Sequence, residues 1–111
     1  MEIIIQSPRI KLSNRIEQVI YDKFERLEKA SDRIIRCEVV LKKVKDSKNS
    51  GYLVEARLVV PGNDLFAKES GPKFEVAAED ACLDLERQLR KRKVKPVSRR
   101  ERKVKIDEEE D

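Results

Sequence analysis

The sequence predicts an α+β domain in which two helices cover one face of a four-stranded sheet, in the order β-α-β-β-β-α. Two segments, 14–29 and 72–93, repeat apolar residues at helical spacing, whereas four shorter segments are β-branched or alternate between apolar and polar residues. Connections rich in glycine, asparagine and proline join the last three of these segments, which favours an antiparallel meander. Both apolar helix stripes are buried most simply on the same face of that sheet.

The pattern begins with a strand and a helix. Residues 2–6 include three consecutive isoleucines and precede Ser7-Pro8, which predicts a strand. Because both faces of this strand are apolar, we expect it to be central in the sheet. Asn14 and Glu17 have the spacing of a capping box, so we expect Asn14 to begin a helix that ends near Lys29.

Three strands are predicted between the helices. Alternate positions of 34–44 are apolar, as expected for the second strand. A turn at 48–51 leads into the third strand, whose apolar residues alternate over 54–60. The turn at 61–64 then leads into a short fourth strand over 65–70.

The second helix is predicted from Pro72 to Lys93. Proline suits the first turn of a helix, and one apolar stripe follows it, consisting of Phe74, Ala78, Ala81, Cys82, Leu85 and Leu89. Pro96 prevents the helix from continuing, and the residues beyond it have no apolar face. We therefore expect a folded domain over 1–93 and a flexible charged arm over 94–111, which is either a solubilising tail or a segment that competes with a bound ligand.

The distribution of charge indicates the class of partner. Residues 87–105 contain eleven lysines and arginines and a single acid, Glu101. Residues 1–86 carry fifteen basic and sixteen acidic side chains, and five acids follow at 107–111, so the net charge of +4 understates the local field. A near-neutral body with a concentrated basic end binds polyanions by counterion release, with little sequence preference. Nucleic acid is the expected partner.

The composition argues against an enzyme. The chain contains no histidine, which is the commonest general base and metal ligand. Four carboxylates of the second helix are interrupted by its apolar stripe and are expected to spread over the solvent face: Glu75, Glu79, Asp80 and Asp84. Gly51, Gly62 and Gly71 are expected at three separate turns and form no phosphate loop. We expect no catalysis, cofactor, bound metal or small-molecule substrate.

The remaining features predict a location in the cytoplasm. Cys37 and Cys82 belong to no CxxC pair, and we expect them to be small buried residues in a reducing compartment. No segment is long and apolar enough to span a membrane, and residues 1–5 are too short for the core of a signal peptide. We therefore expect a cytoplasmic protein with no membrane partner.

The helices carry the candidate binding residues. A sheet that stacks RNA bases needs exposed aromatic side chains, but only Tyr52 and Phe66 lie in or beside strands, and Phe66 is expected in the core. The predicted open face also mixes charges, with Glu38, Lys42, Glu55, Arg57 and Lys68. The remaining way to bind nucleic acid is through contacts from helix side chains to phosphate and ribose. The candidates recur every three or four residues: Lys23, Arg26 and Lys29, with Lys11 and Arg15 beside them, and Arg87, Arg90 and Lys91.

Four motifs carry a resemblance to a known family. They are KFERLEK at 23–29, CEVVL at 37–41, NDLFA at 63–67 and LERQLRK at 85–91. Their order and spacing over residues 1–93 resemble the short ribosome hibernation promoting factors, also called ribosome-associated inhibitors or the sigma-54 modulation group.

The resemblance implies a fold similar to that of double-stranded-RNA-binding domains, with an added first strand. It also implies a translation silencer that occupies the A and P sites of idle ribosomes, where mRNA and tRNA bind. The implied partners are the 30S subunit, the 70S ribosome and the 16S rRNA. The residues that match the basic pattern of the family are Lys23, Arg26, Lys29, Arg87, Arg90 and Lys91. The second domain that long members use to pair ribosomes has no counterpart, so we do not expect direct bridging of two ribosomes.

Two alternatives to the silencer remain open. One is a general structured-RNA-binding protein or RNA chaperone, which would bind free duplexes as well as ribosomes. The other is a body that binds a protein such as a sigma factor, with the basic arm as a solubilising appendage.

Overall fold

The computed structural model describes residues 1–45 and 50–92. Its elements follow the predicted order: β1 (Glu2–Gln6), α1 (Asn14–Glu25) continued by a 3₁₀ turn (Arg26–Lys29), β2 (Arg36–Lys45), β3 (Ser50–Val59), β4 (Leu65–Gly71) and α2 (Phe74–Arg92). The predicted α+β class is confirmed, and the bounds of the elements differ from the predicted ones by a few residues. The predicted arm over 94–111 lies outside the described residues, as does most of the basic segment.

The sheet has the strand order β1-β2-β3-β4. The last three strands form the predicted antiparallel meander, whereas β1 pairs parallel to β2, with Ile3 opposite Cys37 and Ile5 opposite Val39. The expectation of a central β1 is wrong, because β1 is an edge strand. The meander leaves two free edges, one on β2 and one on β4, and β1 pairs with β2.

The core lies between the helices and one face of the sheet. Cys37, Val39 and Leu41 of β2 face it, and Val54, Ala56 and Leu58 of β3 lie beside them in register. Burial follows the predicted alternation, since the residues between these positions face the opposite side. α2 lies over β3 and β4, while α1 contacts β1 and α2, so both helices cover the same face.

The open face of the sheet carries paired charges of both signs, as predicted. Lys42 Nζ lies 3.3 Å from Glu55 Oε1, and Arg57 Nε lies 3.0 Å from Asp64 Oδ2. Phe66 is also on this face, with 53% of its surface exposed, so the expectation that it belongs to the core is wrong. Its neighbours in β4 face the core, and strand alternation therefore places Phe66 on the opposite side.

The helices begin differently from the prediction. Ser13, rather than Asn14, is the N-cap of α1, because its hydroxyl accepts a 3.1 Å hydrogen bond from the backbone N–H of Ile16. Asn14 is already the first helical residue. α2 begins at Phe74, so Pro72 precedes it. No helix in the described part of the chain is long and apolar enough to cross a membrane.

The glycines also depart from the expectation of three separate turns. Gly62 is in the β3–β4 turn and has a positive φ of 88°. Gly51 and Gly71 instead lie in neighbouring strands, β3 and β4. A Cβ atom on Gly51 would lie 2.9 Å from the backbone oxygen of Gly71, so these two strands approach too closely there for a side chain.

Candidate nucleic-acid interface

All six predicted binding residues lie in the helical layer, away from the open sheet face. The structure brings α1 and α2 into contact through ion pairs. Arg15 lies 3.8 Å from Glu75, and Lys23 lies 3.1 Å from Glu79, so the two helices run in the same direction. From Glu79, α2 continues for eight residues to Arg87, a rise of about 12 Å. The predicted cations Lys23, Arg26 and Lys29 therefore lie in the same layer as those of α2. Arg87, Arg90 and Lys91 lie further toward the C-terminal end of α2 than Glu79, which contacts Lys23 and Arg26.

The row on α1 is tied to α2 by Glu79, and we call Lys23, Arg26 and Glu79 the Glu79 cluster. Lys23 Nζ donates to Glu79 Oε1 at 3.1 Å. Arg26 donates from both terminal nitrogens, at 3.3 Å to Oε1 and 3.2 Å to Oε2. This is the bidentate geometry in which a guanidinium binds a carboxylate most strongly. The cluster is half-buried, so solvent screens it less than a surface ion pair.

The pKa values in the cluster agree with its geometry. Burial by itself would raise the pKa of the Glu79 carboxyl, but the hydrogen bonds from Lys23 and Arg26 outweigh it and hold that pKa below its ordinary value. The hydrogen bond to Glu79 raises the pKa of Arg26. Glu79 and Arg26 are therefore charged at neutral pH, and the carboxylate lies between two basic side chains.

Cys82 lies directly beneath this cluster. Its thiol donates to the backbone carbonyl of Lys23 at 3.2 Å, and its Sγ lies 3.6 Å from Nη2 of Arg26. Burial raises the pKa of the Cys82 thiol and raises that of Cys37 to about 12. Both cysteines are buried and unpaired, which confirms that they are small core residues.

The C-terminal half of α2 carries the second row. Arg87 forms an ion pair with Asp84 one turn before it. Gln88 donates to the backbone oxygen of Phe66 at 2.9 Å, which ties α2 to β4. Arg92 donates to the backbone oxygen of Pro61 at 3.2 Å and so links the end of α2 to the β3–β4 turn.

The six predicted cations fall into two groups. Lys23, Arg26 and Arg87 are each within 4.0 Å of a carboxylate. Lys29, Arg90 and Lys91 are exposed, and no acid of residues 1–45 or 50–92 pairs with them. Their donors can therefore reach a phosphate without breaking an ion pair to residues 1–45 or 50–92.

The acids of α2 do not spread over the solvent face as expected. Glu79 faces α1 within its cluster, and Glu75 faces Arg15. Asp84 is largely buried, at 19% side-chain exposure, and Asp80 is the one of the four that is exposed. The expectation failed because it treated α2 as an isolated cylinder, whereas α1 covers part of its polar side. Among the described residues, no three potential metal-ligating side chains lie together.

Two residues at this surface escaped the sequence analysis. The sequence predicts Glu79 on the solvent face, although its position one turn before Cys82 in the apolar stripe also indicates a flank that a second helix can reach. Arg92 was counted only within the basic segment, and no sequence signal indicates its contact with Pro61.

Comparison with known proteins assigns the chain to a family. The family described as Sigma 54 modulation protein / S30EA ribosomal protein matches residues 3–96. The chain belongs to this family. Two relatives from Pseudomonas putida, both named ribosome hibernation promoting factor, are 30% identical over 99 residues, which are 88% of this chain and 92% of theirs. The resemblance found from the four sequence motifs is confirmed.

Solved structures of similar shape come from two further bacteria. A ribosomal subunit interface protein from Coxiella burnetii matches with a TM-score of 0.73 at 19% identity, over 84% of this chain and 98% of that one. The N-terminal domain of Protein Y from Thermus thermophilus matches with a TM-score of 0.68 at 21% identity, over 82% and 98%. At these identities the two matches establish the shared fold.

Proposed function

We propose that the chain is a ribosome hibernation factor, which binds the decoding channel of the small subunit and blocks the binding of mRNA and tRNA in idle ribosomes. The observation that carries the proposal is the family match over residues 3–96. The relatives from Pseudomonas putida are named ribosome hibernation promoting factor, which supports a role in hibernation. A ribosome-bound factor acts where ribosomes are, so its proposed location is the cytoplasm.

The proposed contacts are to the backbone of 16S rRNA. Lys29, Arg90 and Lys91 supply exposed donors for phosphate; Lys29 ends the 3₁₀ turn that continues α1, and the other two lie in the last turn of α2. Lys23, Arg26 and Arg87 lie in the same layer and add positive charge, which their carboxylate partners reduce. Backbone contacts of this kind position a protein on RNA without reading its sequence.

Specificity is then a matter of shape. The open sheet face offers phosphate few free cations, because Lys42 and Arg57 are paired with acids. Phe66 is the exposed aromatic residue on that face, which is too little for a base-stacking platform. The helical layer must instead fit a rigid site whose phosphates already have matching positions. The proposed role is reversible binding, with no chemical step.

Co-sedimentation with 30S, 50S and 70S particles, at low and high salt, tests this function. We expect saturable one-to-one binding to 30S and 70S that weakens with salt and resists an excess of free duplex RNA. If duplex RNA removes the protein, or 50S binds it equally well, it is a general RNA-binding protein. If no ribosomal particle retains it, the proposal is wrong and the protein-binding alternative gains.

The blocking step has its own measurement. Binding of tRNA to the P site of programmed 30S subunits should fall as the protein is added, with half inhibition near the dissociation constant from co-sedimentation. Bound protein that leaves tRNA binding unchanged would place it outside the decoding channel.

A further inference from the structure

The Glu79 cluster places an acid among the basic residues of the proposed RNA-binding surface. Lys23 and Arg26 have the spacing of phosphate-binding residues, yet a carboxylate of the same chain already occupies their donors. Glu79 is not needed to bring α1 and α2 together, because Phe24 and Leu85 are fully buried in the core that they share. The Glu79 carboxylate therefore lowers the net positive charge of the surface, and the packing of α1 against α2 rests mainly on apolar residues.

We infer that Glu79 is a specificity-determining residue: its carboxylate occupies Lys23 and Arg26 as a phosphate would, and so weakens binding to RNA in general more than binding to the ribosomal site. The inference rests on the proposed function and names the residue that restricts it to one target.

The first argument is the match between a carboxylate and a phosphate. Arg26 presents two parallel N–H donors, at 3.3 Å and 3.2 Å, to the two oxygens of Glu79. Two phosphate oxygens are bound by the same fork. A phosphate approaching Arg26 must therefore displace Glu79 or bind a guanidinium whose best donors are in use.

The second argument is electrostatic. Two cations and one carboxylate leave the cluster with a single net positive charge, whereas Lys29, Arg90 and Lys91 keep their charges uncompensated among the described residues. Affinity for RNA in general grows with the number of phosphates neutralised. Glu79 therefore removes about one phosphate contact from general binding.

The third argument is preorganisation. Glu79 accepts hydrogen bonds from the side chains of Lys23 and Arg26. The Cys82 thiol also contacts the backbone oxygen of Lys23 and the guanidinium of Arg26. A long side chain held in one rotamer loses less entropy when it binds. This preorganisation favours a target whose phosphates bind the remaining donors of Lys23 and Arg26 without displacing Glu79. We expect the ribosomal site to be such a target and so to recover part of what Glu79 costs, and we expect no such recovery with a free duplex.

The test compares Glu79→Gln with Asp80→Asn on free RNA duplex and on 30S subunits. Both variants remove one negative charge from α2, but Asp80 is exposed and has no ion pair with the described residues. For Glu79→Gln we expect duplex affinity to rise about fivefold, with a plot of log affinity against log salt steeper by about 0.7 to 0.9. Affinity for 30S should change less than about twofold, so the preference for 30S falls, whereas Asp80→Asn should leave the preference intact.

A second pair of variants tests whether Glu79 acts through the two cations. In a Lys23→Gln/Arg26→Gln background, Glu79→Gln should have no larger effect than Asp80→Asn. An undiminished effect in that background, an equal effect of Asp80→Asn, or an unchanged preference for 30S would each overturn the inference. Thermal unfolding of each variant by circular dichroism establishes that the compared proteins are folded.

The duplex measurements separate this inference from the proposed function. If the wild type fails to bind 30S, the proposed function is wrong, while the change in duplex affinity and salt slope still tests the coupling of Glu79 to Lys23 and Arg26. If the wild type binds 30S and Glu79→Gln leaves duplex binding unchanged, the inference alone is wrong.

Discussion

Arg90 and Arg87 are three residues apart on the same helix, yet the structure predicts that they contribute unequally to RNA binding. Arg87 is paired with Asp84, whereas Arg90 is exposed and pairs with no acid of the described residues. Arg90→Gln should remove one full phosphate contact, which lowers RNA affinity about threefold to fivefold and flattens the salt dependence by about 0.7 to 0.9. Arg87→Gln makes the same change of charge but removes a guanidinium that is already partly satisfied, so its effect should be about twofold or less.

The assay is a salt titration of binding to 30S subunits and to duplex RNA by the two variants, measured side by side. Because the substitutions are identical in chemistry and lie on the same helix, helix propensity and net charge cancel in the comparison. An effect of Arg87→Gln equal to or larger than that of Arg90→Gln would refute the reasoning, since it would mean that Arg87 exchanges Asp84 for phosphate at little cost.

Three further predictions concern the fold and its dependence on pH. Leu85→Ala should destabilise the protein by about 2–5 kcal/mol in urea unfolding, because Leu85 is fully buried, whereas Leu83→Ala at a half-exposed position should cost under about 0.5 kcal/mol. Ser13→Ala should cost about 1 kcal/mol through loss of the N-cap, and Asn14→Ala should cost almost nothing; the reverse order would restore Asn14 as the cap. The pKa of Glu79 is lowered in the folded state, so its stabilising effect is present above about pH 5 and is lost as the pH falls through that lowered value. Unfolding midpoints of the wild type and Glu79→Gln should therefore differ at pH 7 and converge once the pH has fallen below the lowered pKa of Glu79, and a constant difference would exclude the ion pair as its cause.

Most of the fold was predictable because it depends on local periodicity. The alternation of β2 and the helical spacing from Phe74 to Leu89 each describe a single element, and their burial follows directly. The place of β1 was not predictable in the same way. Three isoleucines make both of its faces apolar, but its neighbours in the sheet depend on which strand edges the hairpins have already occupied. The predicted burial of Phe66 is wrong for a different reason, because an aromatic side chain favours the core but strand alternation places this one on the open face.

The location of the candidate binding residues was predictable, whereas their availability to a ligand was not. Spacing located six cations on two helices, and the structure places all six in the helical layer. Whether a cation is available to a ligand depends on contacts between residues far apart in sequence, such as the 53 positions between Arg26 and Glu79. A pattern within one helix can mark a flank that another helix can reach, as at Glu79, but it does not identify the side chains that will lie there.

By itself, the sequence determined the order of the elements, the apolar residues that form the core and the concentration of positive charge after residue 86. These properties follow from the chemistry of each residue and its near neighbours, which the chain carries before it folds. The tertiary structure alone decided that β1 is an edge strand, that Glu79 faces Lys23 and Arg26, and that Lys29, Arg90 and Lys91 remain exposed. Such properties arise only when separate elements meet, because a carboxylate compensates a cation through its distance in space and not its distance along the chain.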